Sequence, residues 1–298
     1  MLKGLKSALR SRLGLGAIEY RLERLQKQMD FWASWQQLSA PDFHQPRPEL
    51  WQEAKTNLAA EGIGDFPEII HQQDLMFAHH LYHNPGEPAR ALAGYFRVGH
   101  RIAAGLARLS ESPANSIERL LDFGSGYGRV SRFLPQHFPQ AEIHISEIKE
   151  GAVRFQREQF GFQAHHHGPE PEVMAGGPYD LIIALSVFTH LPEGNGKLWL
   201  KKLSECLQPG GQLIFTFNNI EAKPSGISDQ PDYHFYRLSE DSNLNFFPDS
   251  LRDTESYGST YISAERLQSW LDAPEWHWHF LGHQLIPNQE TVLLQRKA

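Results

Sequence analysis

From residue 119 onward, short apolar runs alternate with helical stretches, and this alternation constrains the fold more than any other feature of the 298-residue sequence. Residues 119–123 (RLLDF), 141–146 (AEIHIS), 162–166 (FQAHH), 179–186 (YDLIIALS) and 211–218 (GQLIFTFN) read as strands, and residues 127–137, 149–160 and 195–207 as helices. The fourth run is apolar on both faces, as a strand in the middle of a parallel sheet must be. This rhythm predicts an α/β fold, a parallel sheet with helices on both faces. The end departs from it. A helix over 263–272 precedes strands over 276–285 (WHWHFLGHQL) and 290–296 (ETVLLQR), and so short a link permits an antiparallel hairpin but no crossover.

The chain ahead of the sheet has a different texture. The first 30 residues carry seven Lys/Arg against three Asp/Glu, and Leu2, Leu5, Leu9, Leu13, Ile18, Leu22 and Leu25 recur at helical spacing. Gly14 and Gly16 interrupt the pattern, which favours two helices. Three readings stand: an amphipathic arm packing on the domain or on a second subunit, a basic helix resting on anionic lipid, and a transit peptide. An aromatic, proline-bearing connector follows, and residues 51–109 read as helical, with 89–109 forming one long helix. The expected organisation is an arm and linker over 1–50 and one domain over 51–298. The latter divides into a helical cap (51–115), a sheet core (116–219), a lid (220–261) and a C-terminal helix and hairpin (262–298). The lid is expected because a long connection without a clear repeat is usually functional. Its Tyr233, His234, Tyr236, Arg237, Tyr257 and Tyr261 suit either cover for a polar acceptor or a homodimer contact.

Composition narrows the partners. With 28 Lys/Arg against 35 Asp/Glu the net charge is −7, which argues against a nucleic-acid partner held by a basic surface. The single cysteine, Cys206, allows no internal disulfide and suits a reducing compartment. No stretch is apolar for 18 residues and no secretory signal is evident, so the expected location is cytoplasmic.

The loop after the first strand reads LLDFGSGYGRV over residues 120–130. Such a loop sits at the carboxyl edge of the sheet, where open α/β folds bind ligands. Gly124, Gly126 and Gly128 form G-x-G-x-G, not the G-x-G-x-x-G of dinucleotide sites, and the P-loop Gly-Lys-Ser/Thr is absent. Asp122 precedes the glycines, where a carboxylate would repel a phosphate and attract an ammonium group. Glu147 ends the second strand, where an acid can accept the hydroxyls of a ribose. The pattern suits a cationic nucleoside amino acid.

This loop resembles motif I of the class I S-adenosylmethionine-dependent methyltransferases. HISEI (144–148), YDLIIALSVFTHLPE (179–193) and LQPGGQLIFTF (207–217) resemble the family's later motifs, in order. The resemblance implies a Rossmann-like seven-stranded sheet in the order 3-2-1-4-5-7-6 with strand seven antiparallel, and S-adenosylmethionine as cofactor. It implies that Asp122, Gly124, Ser125, Gly126 and Gly128 line the methionine and ribose side, and that Glu147 holds the ribose hydroxyls. The family often places an acid after the third strand for the adenine amine. That region here reads HHHGPEPE (165–172), and Glu170 is the candidate. More narrowly, QDLM (73–76), YFRVG (95–99), SVFTHLP (186–192) and NQETVLLQR (288–296) resemble bacterial methyltransferases encoded near glycan genes.

His190 follows the fourth strand, where a neutral imidazole can take a proton from an acceptor hydroxyl or simply order the loop. Ser186 is expected to face the cofactor or the turn. Tyr95 and Arg101, on the long helix, are placed to cover the cofactor, with Arg101 pairing its carboxylate or lying on the surface. His165, His166 and His167 alternate in direction along a strand, so no metal is expected. The function expected is methyl transfer to a small-molecule or sugar acceptor, with oxygen favoured because no Asn/Asp-Pro-Pro-aromatic tetrapeptide follows the fourth strand. A non-catalytic scaffold of the same fold is the alternative, and an NAD(P)-dependent oxidoreductase is disfavoured by the glycine spacing.

Overall fold

The computed structural model describes residues 18, 21–23, 25–27, 29–31, 33–34, 48–170, 177–223, 231–237 and 258–297. The chain forms two compact units: residues 1–62 with 72–95, and residues 63–71 with 96–298.

The first unit is helical. It contains α1 (Pro48–Ala59), α2 (Leu75–His83) and the opening turns of α3 (Pro88–Leu109). Asp74 caps α2, its side chain accepting from the amides of Met76 at 2.9 Å and Phe77 at 3.2 Å. An aspartate here satisfies amides that the first helical turn leaves without partners. The fully buried Tyr95 donates its hydroxyl to the same carboxylate at 2.5 Å, and its ring stands edge-on to Phe77. Of the expected N-terminal arm, residues 1–17 lie outside the described residues, while Ile18, Leu22, Leu25 and Met29 are exposed on a helical stretch. No described helix is long and apolar enough to cross a membrane.

The second unit is built on a sheet. Its strands are β1 (Arg119–Phe123), β2 (Glu142–Glu147), β3 (Gln163–His166), β4 (Tyr179–Ala184), β5 (Leu207–Asn219), β6 (Tyr233–Arg237), β7 (Gly258–Ile262), β8 (Trp276–Gly282) and β9 (Glu290–Arg296). The pairs β1–β2, β1–β4, β2–β3 and β4–β5 are parallel, and β9 runs antiparallel between β5 and β8. The lateral order is therefore β3-β2-β1-β4-β5-β9-β8. Counting the closing hairpin as sixth and seventh strands, this is the expected 3-2-1-4-5-7-6 sheet with its seventh strand reversed.

Burial explains the central position of β1 and β4. Leu120, Leu121, Phe123, Leu181, Ile182 and Ile183 are almost completely enclosed on both faces, each worth about 1.5–3 kcal/mol relative to exposure. Trp199, Leu200 and Leu203 of α6 (Glu193–Glu205) pack on Leu121, Phe123, Ile182 and Phe215. On β2, Glu147 ends the strand and α5 (Glu150–Phe160) follows, closed by Gly161 in the left-handed region.

Three segments differ from the sequence reading, the first being residues 60–74, which lie in the stretch read as helical and hold no helix. The helix expected over 127–137 is only a 3-10 turn at Ser131–Phe133 and one helical turn, α4 (Leu134–His137). Gly126 and Gly128 hold φ values of +57° and +76°, which a right-handed helix cannot include. The segment 220–261 is also more regular than expected. Its described residues include β6 and β7, an antiparallel pair, and β7 continues the end of β5 in parallel, with Asn218 opposite Tyr261. The sheet thus forks at β5. Thr260 and Ile262 are buried, while His234, Tyr236 and Tyr261 share the other face, with the Tyr236 and Tyr261 rings nearly parallel. Tyr257 lies outside the described residues.

Candidate active site

The carboxyl ends of β1, β2, β4 and β5 form one edge of the second unit, and the glycine loop turns there. Gly124 donates its amide to the carbonyl of Ser146 on β2 at 2.8 Å, so the chain bends over the neighbouring strand as soon as β1 ends. A methyl group built on Gly124 would lie 2.5 Å from Val187 Cγ2. One on Gly128 would lie 2.6 Å from the Phe160 ring and 2.8 Å from Gln156 Oε1. Nothing lies within 4 Å of the same position on Gly126. The outer two glycines serve close packing, and the middle one faces open space.

Two acids stand beside this opening. Asp122 is buried and accepts a hydrogen bond from Ser131 Oγ on Oδ2 at 2.5 Å. Burial pushes its pKa up to about 7, the Ser131 bond opposes that rise, and the charge of Glu147 adds to it. Among the described residues Oδ1 has no hydrogen-bond donor. Glu147 is held at both oxygens, by the amide of Gly126 at 2.8 Å and that of Lys149 at 3.1 Å. Each carboxylate oxygen has two lone pairs, so this anchoring leaves room for ligand hydroxyls.

The loop is also braced from behind. Gln156 of α5 donates to Ser125 Oγ at 2.7 Å and to the Gly126 carbonyl at 2.9 Å. Arg132 is enclosed between the rings of Phe96 and Phe160, at 5.2 and 4.9 Å from their centroids. Its Nε donates to the Gly128 carbonyl, and one Nη reaches the carbonyls of both Pro67 and Ile69, all three at 2.8 Å. A planar guanidinium can grip several carbonyls at once, which a lysine cannot.

After β4 the chain enters Ser186 with φ +57°, a conformation costly for a residue with a Cβ. Thr216 Oγ1 accepts from the Ser186 amide at 2.8 Å, and Ser186 Oγ donates to Gln289 Oε1 at 3.0 Å. Thr189 Oγ1 closes the turn on the Ser186 carbonyl at 2.8 Å. His190 follows, its Nδ1 2.7 Å from the carbonyl of Gly258 at the start of β7. A carbonyl only accepts, so Nδ1 carries the proton and Nε2 the lone pair. Burial holds the His190 pKa below the ordinary imidazole value, against the opposing pull of that carbonyl. Thr260 adds two bonds from β7, to the carbonyls of Thr189 at 2.8 Å and Leu191 at 2.5 Å.

The structure thus gathers Asp122, Gly124, Ser125, Gly126, Gly128 and Glu147 at one sheet edge, with Ser186 and His190 leaving the adjacent strand. Arg101 is exposed on α3, Glu170 is exposed beyond β3, and Tyr95 is enclosed in the first unit on Asp74. The three consecutive histidines go to separate partners. His165 meets His144 at 3.2 Å, His166 meets the Ile148 carbonyl at 2.9 Å and His167 meets Ser146 Oγ at 2.7 Å. Among the described residues no three His, Cys, Asp or Glu side chains cluster as a metal site would require. Arg132, Gln156, Thr216 and Gln289 were not singled out from sequence. Gln156 left a signal, a glutamine on the apolar face of α5 beside Ala152, Val153 and Phe155, while Thr216 and Gln289 lie within the quoted blocks 207–217 and 288–296.

These residues fit S-adenosylmethionine. A buried acid with an open oxygen suits an ammonium group, an anchored carboxylate suits a ribose, and the bare side of Gly126 admits close approach. A diphosphate would meet two carboxylates and no compensating cation among them.

By sequence, the chain is similar to methyltransferases. Residues 121–213 match the family described as a methyltransferase domain. A malonyl-[acyl-carrier protein] O-methyltransferase of Methylococcus capsulatus is 32% identical over 127 residues, covering 40% of this chain and 42% of that protein. The aligned part thus spans about two fifths of that relative's length. Among solved structures, DesVI of Streptomyces venezuelae superposes with a TM-score of 0.45 at 13% identity, over 68% of this chain and 92% of that one. The CcbJ methyltransferase of Streptomyces caelestis gives 0.47 at 15% identity, over 67% and 90%. The strand order is that of the Rossmann-like methyltransferase fold, and residues 121–213 match a methyltransferase domain.

Proposed function

We propose that the chain is an S-adenosylmethionine-dependent methyltransferase acting on a hydroxyl of a small-molecule or sugar acceptor. The observation that carries this reading is the pair Asp122 and Glu147 at the ends of adjacent strands, one buried with an open oxygen and one tethered to Gly126. When bound, the cofactor supplies an electrophilic methyl group on a sulfonium. Asp122 holds the ammonium end, Glu147 the ribose hydroxyls, and the Gly124–Gly128 loop shapes the floor between them.

His190 does the proton chemistry. Its Nδ1–H is committed to the Gly258 carbonyl, which fixes the tautomer, and its depressed pKa keeps the ring neutral at pH 7. The oxygen–carbon bond would form as the sulfur–carbon bond breaks and a neutral thioether leaves, with Nε2 taking the proton of the acceptor hydroxyl, and no covalent enzyme intermediate is needed. Placement of the oxygen in line with the methyl group supplies much of the remaining acceleration. The β6–β7 pair packs beside this loop, where Tyr236, His234 and Tyr261 offer aromatic and polar surface to an acceptor.

Calorimetric titration with S-adenosylmethionine tests the reading directly. Micromolar affinity in the wild type and none in Asp122→Ala is expected, and absence of binding at near-millimolar cofactor in the wild type would overturn it. A screen of sugar nucleotides, glycan fragments and phenols with methyl-labelled cofactor then identifies the acceptor. His190→Ala is expected to lower turnover with little change in cofactor affinity.

A further inference from the structure

The turn between β8 and β9 runs into the block NQETVLLQR (288–296), for which no cofactor role was expected, yet it reaches the same sheet edge. We infer that Gln289, from that turn, is a positioning residue that sets cofactor affinity by holding Ser186 in its left-handed conformation against the glycine loop. The inference rests on the cofactor reading given above.

Three contacts carry it. Gln289 Oε1 accepts from Thr216 Oγ1 at 2.7 Å and from Ser186 Oγ at 3.0 Å, so a single oxygen joins β5, the exit of β4 and the C-terminal hairpin. Thr216 is fully buried, and its oxygen also accepts from the Ser186 amide at 2.8 Å. Ser186 is therefore held at both amide and hydroxyl while its φ sits at +57°. A residue with a side chain keeps such a conformation only where its surroundings over-determine it.

What Ser186 supports is the next residue. Val187 Cγ2 fills the space where Gly124 would carry a Cβ, at 2.5 Å from that position. Relaxing Ser186 toward the right-handed region would swing Val187 out of this contact and release the first glycine of the loop. The carbonyl of Val187 also receives the His190 amide at 2.9 Å, so the same turn orients the proposed base. Both hydroxyls donate to Gln289, so its contribution is an acceptor oxygen, not its amide hydrogens. That specifies which substitutions preserve the effect.

The test is S-adenosylhomocysteine affinity by calorimetry, alongside thermal unfolding, for wild type, Gln289→Met, Gln289→Glu and Thr216→Val. Methionine keeps the shape and loses the acceptor, and is expected to weaken binding about tenfold with a midpoint within a few degrees of wild type. Glutamate keeps the acceptor and is expected to stay within about threefold of wild type. Thr216→Val is expected to weaken binding as Gln289→Met does, and the double variant no further, because both break one network. Wild-type affinity in Gln289→Met, or equal losses in Gln289→Met and Gln289→Glu, would overturn the inference while leaving the cofactor reading intact. A wild type that fails to bind S-adenosylhomocysteine would overturn both.

Discussion

Asp122 couples stability to ligand binding through one proton. Folding raises its pKa from 3.8 to about 7, so between those values the folded chain binds a proton that the unfolded chain has released. Stability therefore falls as pH climbs through that window and levels off above it. Asp122→Asn is expected to remove this slope, raising stability at pH 8 by up to about 4 kcal/mol and leaving it unchanged near pH 3, as thermal melts across pH will show. Cofactor affinity should run the other way in the wild type, strengthening through pH 7 as the carboxylate ionises to meet an ammonium group. The glycines give a second residue-level contrast. Gly128→Ala meets both a ring and an amide oxygen, and is expected to cost about 2–4 kcal/mol of stability. Gly126→Ala meets only backbone strain of roughly 1–2 kcal/mol, and its damage should appear in calorimetry as lost cofactor affinity.

Elements built on local patterning were legible from the sequence. Strands β1, β4 and β5 announce themselves because burial on both faces demands continuous apolar runs, and the glycine loop because three glycines at alternate positions have few uses. The β6–β7 pair was not legible: its partners are more than 20 residues apart, and strand pairing across such a distance leaves no periodic trace. The fragmentary helix after the loop was missed for the opposite reason, since Val130, Phe133, Leu134 and Phe138 recur at helical spacing while Gly126 and Gly128 forbid a helix from starting earlier. Of the candidate site, the acids and glycines were readable by type and spacing, whereas Gln289 and Thr216 act through geometry that only the sheet creates. At this scale the link between β7 and the β4 exit can be tested. Thr260→Val deletes the bond to the Leu191 carbonyl, and a loss of about 1–2 kcal/mol is expected, with turnover falling more than cofactor affinity.

At the scale of the molecule, the chain passes between its two units more than once. Residues 63–71 belong with the sheet although the residues on either side belong with the helical unit. A chain truncated to begin at residue 96 therefore loses the carbonyls of Pro67 and Ile69 that Arg132 holds, and with them the backing of the glycine loop. That truncation is expected to melt well below the full chain. Arg132→Lys in the full chain should reproduce part of the loss, about 2–4 kcal/mol. The grip of Arg132 has one more outcome. Carbonyl oxygens are the same in all twenty amino acids, so the clasp itself reads the path of the strap and not the side chains at 67 and 69. A change in the number of residues between 63 and 71 would pull the strap out of reach.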